Sequence, residues 1–496
     1  ATTSGAANPN GLYAIWAGGN DLLQAGAAGV PSALDVAAQS ARLLAAGARY
    51  ILVFGLPNLG LTPGAQAGGA AGVALQTAAS AGFNITMFNA LAASGQRVIP
   101  VDTFTMLNEV AANASAYGFT NISGVACGPF PPFAPGGANS QFCTGSTLVA
   151  GATPSNYLFA DGIHPTTAAH AIVADLVKSL IDGPNAYSTM AEVPLASRAA
   201  HIRTIDSGLQ QGAMAALGKV SAFAAYDGGK TDFSAGNLNP QTNTKNRAAT
   251  VGVTMRVSDG VTVGLAIGKN NNETRMGAVG QYNLDETAFS MFASAKSDGF
   301  YANGSFSNAD LKFNDIRRYV KLGLVTRTNG ALTNGSNVSG SLTAGYDFKV
   351  GGLTVGPFVG MTRQTVSVSR FQENAGAAVA LSTDLIIDDQ NRTSRVTSVG
   401  ARASVNLGNF TPFVRISMDS DGNNSERFVS ASPVSIAQNI YYDIPGYRGD
   451  NKWVTSVIGV RGNITPQIGL GIAYSTVSSK EGVKQDGLTA NLNIAF

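Results

Sequence analysis

The second half of the chain alternates. Val251, Val253, Met255 and Val257 fall on one side of an extended strand and Thr250, Gly252, Thr254 and Arg256 on the other, because successive side chains of a strand point to opposite faces. Leu342, Ala344, Tyr346, Phe348 and Val350 alternate in the same way with Thr343, Gly345, Asp347 and Lys349. The last residues, Leu488-Thr489-Ala490-Asn491-Leu492-Asn493-Ile494-Ala495-Phe496, repeat the pattern and end on an aromatic side chain. Up to residue 183 the period is different: short apolar runs are each followed by an alanine-rich helical stretch, the pattern of a parallel α/β sheet. The spacing predicts strands at 12–16, 50–54 and 97–101, a short extended piece at 157–159, and helices around 34–46, around 71–93 and after Pro165.

A strand with one apolar and one polar face suits a wall between lipid and water. In hydrocarbon every backbone N–H and C=O must bond internally, which only helices and closed barrels achieve. No uninterrupted apolar run of about 18 residues offers a transmembrane helix. Tight turns at Ser258-Asp259-Gly260, Ser297-Asp298-Gly299, Gly351-Gly352, Gly408-Asn409 and Thr465-Pro466-Gln467 alternate with longer polar loops such as 328–337 and 374–391. Five short turns and six long loops make twelve strands, the even count that brings both ends of a bacterial barrel to one side of the membrane. Segment 300–327 exceeds the roughly 9–11 residues of one crossing and reads as a single strand projecting beyond the bilayer.

Between the two patterns lies 186–218, interrupted by Pro194, with Arg198, His201, Arg203, Asp206, Gln210 and Gln211 spread around a helical wheel. A helix polar on most sides needs a wet shelter, which a barrel lumen supplies; an exposed interdomain linker is the alternative.

Composition adds three points. With 12% charged residues and a formal net charge of +2, bulk charge indicates no nucleic-acid partner. The two cysteines, Cys127 and Cys143, flank a Gly/Pro/Asn-rich stretch; a disulfide closing a surface loop, preferred over free thiols, fits an exported protein. The sequence opens Ala1-Thr2-Thr3-Ser4-Gly5 without a charged-then-apolar leader, so an export signal is expected to have been removed or to lie upstream. His170 and His201 read as packed or solvated, His201 facing lumen water or an acid of the barrel wall. Trp16 reads as core and Trp453 as an interface-belt aromatic. Asp285-Glu286 and Asp388-Asp389 read as solvated acids near loops or strand ends rather than calcium ligands. No phosphate loop or metal-ligand cluster stands out, and no cofactor is expected.

Gly18-Gly19-Asn20-Asp21 follows the first strand, and Asp161-Gly162-Ile163-His164-Pro165 precedes the last helix of the α/β region. Reactive residues of parallel sheets gather where strands end and helices begin. An imidazole three residues beyond a carboxylate can be fixed in one tautomer by it and accept a serine proton. The Asn20 amide could donate to a developing oxyanion.

In order and placement these segments resemble the SGNH, or GDSL, serine esterases. Ile15-Trp16-Ala17-Gly18-Gly19-Asn20-Asp21 is similar to the family's third block, Asp161-Gly162-Ile163-His164-Pro165-Thr166 to its fifth, and Leu56-Pro57-Asn58-Leu59-Gly60-Leu61-Thr62-Pro63 to a stretch between them. With a polar helix and a barrel following, the chain resembles a GDSL-type autotransporter esterase of type V secretion. The resemblance implies His164 as general base, Asp161 as its orienting carboxylate and Asn20 as an oxyanion-hole donor, with outer-membrane lipid, an ester substrate and the barrel-assembly machinery as partners of a monomer. It implies an incomplete flavodoxin-like SGNH hydrolase sheet at 1–183, a lumen helix at 184–217 and an all-β twelve-stranded transmembrane barrel at 218–496.

The family's first block, Gly-Asp-Ser-Leu, carries the nucleophile, and its second supplies a glycine donor; neither occurs before Asn20. The sheet is therefore expected to lack its first two strands and to leave a hydrophobic edge uncovered, in an amino-terminally incomplete copy rather than a passenger that lost its serine. Ser4, Ser32 and Ser155 have no elbow-like context. The leading expectation is a cell-surface carboxylic-ester hydrolase whose complete form acts by Ser-His-Asp, this chain being inactive alone. The alternatives are a catalytically dead surface binding module on the same anchor, and a pore with a plug.

Overall fold

The computed structural model describes residues 5–128 and 139–496. Strands β1 (Leu12–Ile15), β2 (Tyr50–Phe54) and β3 (Ile99–Val101) pair in parallel in that order, and β4 (Asn121–Val125) pairs in parallel with β5 (Tyr157–Phe159). Helices α1 (Gly19–Ala25), α2 (Ala33–Ala45), α3 (Pro63–Ala67), α4 (Gly69–Ala93), α5 (Thr103–Ala112) and α6 (Thr167–Ala186) connect the strands. The middle strand β2 is apolar on both faces, and Ile51, Leu52 and Val53 are buried, as a strand covered on both faces requires. β1 is the outer strand of its sheet, and its first residue, Leu12, is 56% exposed. Trp16, expected in the core, is 43% exposed and stacks on Phe54 with ring centroids 4.8 Å apart. Among the described residues no strand pairs with β1 on its other side.

The second half closes into a barrel. Its strands are β6 (Val220–Phe233), β7 (Thr242–Arg256), β8 (Val261–Arg275), β9 (Gly280–Ser297), β10 (Phe300–Leu322), β11 (Val325–Tyr346), β12 (Leu353–Val368), β13 (Gln390–Val405), β14 (Phe410–Asp421), β15 (Lys452–Asn463), β16 (Ile468–Ser478) and β17 (Val483–Ala495). Each pairs antiparallel with its sequence neighbour, Phe348–Val350 prolongs β11 beyond Asp347, and β17 closes the ring on β6. The pattern is inside out: Val251, Ile267, Phe289 and Met291 are about half exposed on the outer wall, while Thr250, Thr254, Asn270, Asn272, Ser290 and Ser307 are buried inside.

The twelve-strand count stands, but one boundary moves. Residues 328–337, expected as a loop, belong to β11, and the chain turns at Gly323 and Leu324. Glycine at 323 takes φ +58°, which lets a two-residue hairpin replace the loop. A strand can carry the polar run 328–337 because β10 and β11, roughly 75 Å long at about 3.4 Å per residue, outreach the membrane; Thr328 and Asn334 are exposed there, while Asn329, Thr333 and Asn337 are buried. Trp453 also departs from expectation. Its neighbour Thr455 bonds inward to Asp419 at 2.5 Å, so Trp453 shares the inner face, and the Lys480 ammonium lies 4.1 Å from its ring centroid.

Helix α7 (Val193–Gly212) threads the lumen and bonds to the wall along its length. Arg198 and Glu286 form an ion pair with side chains 0% and 3% exposed, and Ser197 donates to the same carboxylate at 2.7 Å. Glu286 is thus a lumen acid rather than a solvated loop acid, because even-numbered residues of β9 face inward. His201 sits between two wall hydroxyls, Thr250 at 3.1 Å and Ser290 at 2.8 Å, rather than against an acid of the wall. Thr204 bonds Asp227, Asp206 pairs with Arg415 at 3.5 Å, and Gln211 donates to Asn491. The polar faces of α7 thus bond to the barrel, and the exposed-linker alternative falls.

The α/β part sits on the open rim of the barrel. Leu322, Phe313, Val320, Leu385 and Ile444 join one core with Phe159, Ile172, Leu176 and Leu180, and Ile436 and Ile440 from a barrel loop enter the core around Val36 and Phe83. Polar contacts fix the seat: Arg327 pairs with Glu109 at 2.9 Å, Glu109 accepts from Ser382, and Asp175 accepts the Gly323 N–H at 2.8 Å.

Candidate active site

The Asp161–His164 turn is built by the carboxylate itself. Asp161 Oδ1 accepts the N–H groups of Ile163 at 2.9 Å and His164 at 2.7 Å, folding the turn back on the side chain. The ring then lies against it: His164 Nδ1 is 2.8 Å from Oδ2 and 3.0 Å from Oδ1. Asp161 is 8% exposed at the side chain and His164 63%, so the carboxylate is sheltered and the imidazole open. Burial works to raise the Asp161 pKa, but the N–H groups of His164 and Ile163, the His164 ring and the Ser140 N–H outweigh it and hold the carboxyl down at about 2. Among the described residues every hydrogen bond of the ring falls on Nδ1, leaving the Nε2 edge open.

Ser140 is the residue that sequence reasoning missed. Its N–H donates to Asp161 Oδ2 at 2.9 Å and its Oγ lies 3.2 Å from His164 Nδ1. It reaches the turn because Cys127 and Cys143 form a disulfide, with Cα atoms 5.4 Å apart. The only signal in the sequence was its position three residues before a cysteine. Because Ser140 shares Nδ1 with Asp161, it does not occupy the Nε2 side where a nucleophile delivers its proton. Most of the cysteine loop, 129–138, lies outside the described residues.

The other motifs line the carboxyl ends of neighbouring strands. Gly18 takes φ +101° after β1, and a Cβ there would stand 2.2 Å from the Phe83 ring, so only glycine allows this tight entrance to α1. Asn20 lies exposed in the first turn of α1 and makes no hydrogen bond to Asp161 or His164. After β2, Asn84 bonds both the N–H and the C=O of Leu56, and Asn58 Oδ1 accepts from Gly60 and Thr77. The Gly64 N–H donates to Gly162 O at 2.9 Å, tying that loop to the Asp161–His164 turn. The structure thus brings Asp161, His164 and Ser140 into contact and leaves Asn20 on a separate strand end. His170 is exposed, its ring bonded to Thr166 O at 3.0 Å. Among the described residues no group of three or more His, Cys, Asp or Glu side chains is placed to hold a metal ion.

Comparison with known proteins covers both halves. Residues 222–475 match the family model of the autotransporter beta-domain, and residues 2–177 match that of the GDSL-like lipase/acylhydrolase. Esterase EstA of Pseudomonas aeruginosa is 25% identical over 503 residues, covering 97% of this chain and 74% of that protein. Lipase 1 of Photorhabdus luminescens is 23% identical over 568 residues, covering 98% and 82%. The translocator domain of autotransporter NalP from Neisseria meningitidis superposes with a TM-score of 0.51 at 13% identity, over 63% of this chain and all of that one, a likeness of fold.

Proposed function

The chain belongs to the autotransporter family, its barrel in the outer membrane and its GDSL-type hydrolase domain at the cell surface, and on that premise we propose that the complete protein hydrolyses carboxylic esters of acyl chains by a Ser-His-Asp mechanism. The observation that carries the reading is the Asp161–His164 pair. A sheltered anionic carboxylate on Nδ1 keeps the proton on that nitrogen, turns the Nε2 lone pair outward, and stabilises the imidazolium formed when Nε2 takes a serine proton. Asn20 donates to the oxyanion of the tetrahedral intermediate. The acyl-enzyme then forms and is hydrolysed, with His164 first base, then acid.

No Gly-Asp-Ser sequence occurs within residues 1–496, and Ser140 lies on the wrong ring nitrogen. The reading therefore places the nucleophile outside these residues and expects them alone to leave p-nitrophenyl butyrate intact. The bilayer around the outer wall, an acyl ester and the machinery that inserts barrels are the proposed partners of a monomer. The test is hydrolysis of p-nitrophenyl butyrate by cells displaying the complete protein. His164→Ala should abolish turnover while the barrel still inserts; undiminished activity removes His164 from the mechanism and favours a surface binding module.

A further inference from the structure

The Asp161 carboxylate is held by donors of two kinds. Ile163 and His164 N–H groups come from its own turn, and both bind Oδ1. The oxygen nearer the imidazole is Oδ2, at 2.8 Å from Nδ1, and its remaining donor is the Ser140 N–H at 2.9 Å, from 21 residues away. Ser140 opens a single helical turn, Ser140–Phe142, that ends on Cys143, whose N–H bonds back to Ser140 O at 3.2 Å. Cys143 is joined to Cys127, and the Cys127 N–H bonds at 2.8 Å to the carbonyl of Ala160, the residue before Asp161. The disulfide therefore clamps the Ser140 turn to the base of the loop that carries the pair.

We propose that Ser140, held by the Cys127–Cys143 disulfide, is a positioning residue: its N–H keeps Asp161 Oδ2 aimed at His164 Nδ1 and so fixes the imidazole tautomer that exposes the Nε2 lone pair. The inference rests on the hydrolase reading of this turn, but the tautomer is measured without turnover. Without the Ser140 donor the carboxylate keeps its Oδ1 bonds and is free to turn Oδ2 away, and the ring then populates both neutral tautomers.

Two kinds of variant separate the donor from the loop. Ser140→Pro removes the N–H at a place where proline fits, the first residue of a helical turn preceded by Asn139 at φ −138°, ψ 118°. Ser140→Ala keeps the N–H and removes the hydroxyl. Cys127→Ser/Cys143→Ser removes the clamp. The chain is labelled with 15N-histidine, and its three imidazoles are read by NMR in detergent, assigned through His164→Gln and His170→Gln. In the neutral ring, His164 is expected as one Nδ1–H form in the unmodified chain and in Ser140→Ala, and as a mixture with Nε2–H in Ser140→Pro and in the double cysteine variant. In the complete enzyme the latter two should lose on the order of tenfold in kcat with KM unchanged. A single Nδ1–H tautomer that survives both Ser140→Pro and loss of the disulfide overturns the inference. Absent turnover in the unmodified complete enzyme instead overturns the hydrolase reading.

Discussion

At the residue scale, the hydrogen bonds around Asp161 set a pH window. Its folded pKa, about 2, lies below the ordinary carboxylate value of about 3.9, so its contribution to stability is fully present above the ordinary value and is lost as pH falls through the folded one. The Asp161–His164 turn should keep its amide protection from hydrogen exchange at pH 5 and lose it as pH approaches 2. Asp161→Asn should flatten that dependence and, on the proposed hydrolase reading, should slow turnover less than His164→Ala, because it disturbs tautomer and charge stabilisation without removing the base. Gly18 offers a test of shape. A methyl group there meets the Phe83 ring at a backbone angle of φ +101°, whereas at Gly19 it would find only Leu56 at 3.9 Å. Gly18→Ala should destabilise the α/β part by about 1–3 kcal/mol, seen as a lower melting temperature, and Gly19→Ala should leave it unchanged.

At the scale of elements, α7 is held by paired polar groups rather than by an apolar face. The Arg198–Glu286 pair is buried, so Arg198→Leu strands a carboxylate and should cost about 3–5 kcal/mol. The folded barrel's heat-modifiable band on gels should convert to the unfolded position at lower temperature, and Arg198→Met/Glu286→Gln should convert closer to the parent. Inner-wall aromatics seat on glycines of the next strand: a Cβ at Gly264 would meet Phe292 at 2.3 Å, one at Gly400 Phe358 at 2.7 Å, and one at Gly459 Phe413 at 2.7 Å. These glycines let the wall twist while its rings fill the space they leave. Alternation along the chain identified which face is wet, since period two follows from strand geometry alone. It did not place the turn at Gly323, because polar residues above the bilayer alternate no differently in a strand than they scatter in a loop.

At the scale of the molecule, the hydrolase domain and the barrel share a core, and the connection between α6 and α7 is buried: Tyr187, Met190 and Ala191 are 0% exposed. The domain should therefore stay with the membrane after trypsin treatment of intact cells, whereas Glu109→Ala/Arg327→Ala should expose the seat and speed cleavage; release of a soluble domain from the parent would contradict the shared core. The linear sequence by itself determined the parallel α/β beginning, the twelve strands, a helix polar on most sides between them and the adjacency of Asp161 and His164, because each depends on side-chain period or on residues within one turn; that the helix lies in the lumen was settled by its bonds to the wall. Only the tertiary structure decided that Trp16 lies on an open edge, that Trp453 and Glu286 face the lumen, that Ser140 completes the Asp161 hydrogen bonds, and that barrel loops enter the hydrolase core. Those facts depend on which distant segments meet, and contact between segments 21 to 346 residues apart leaves no period in the chain.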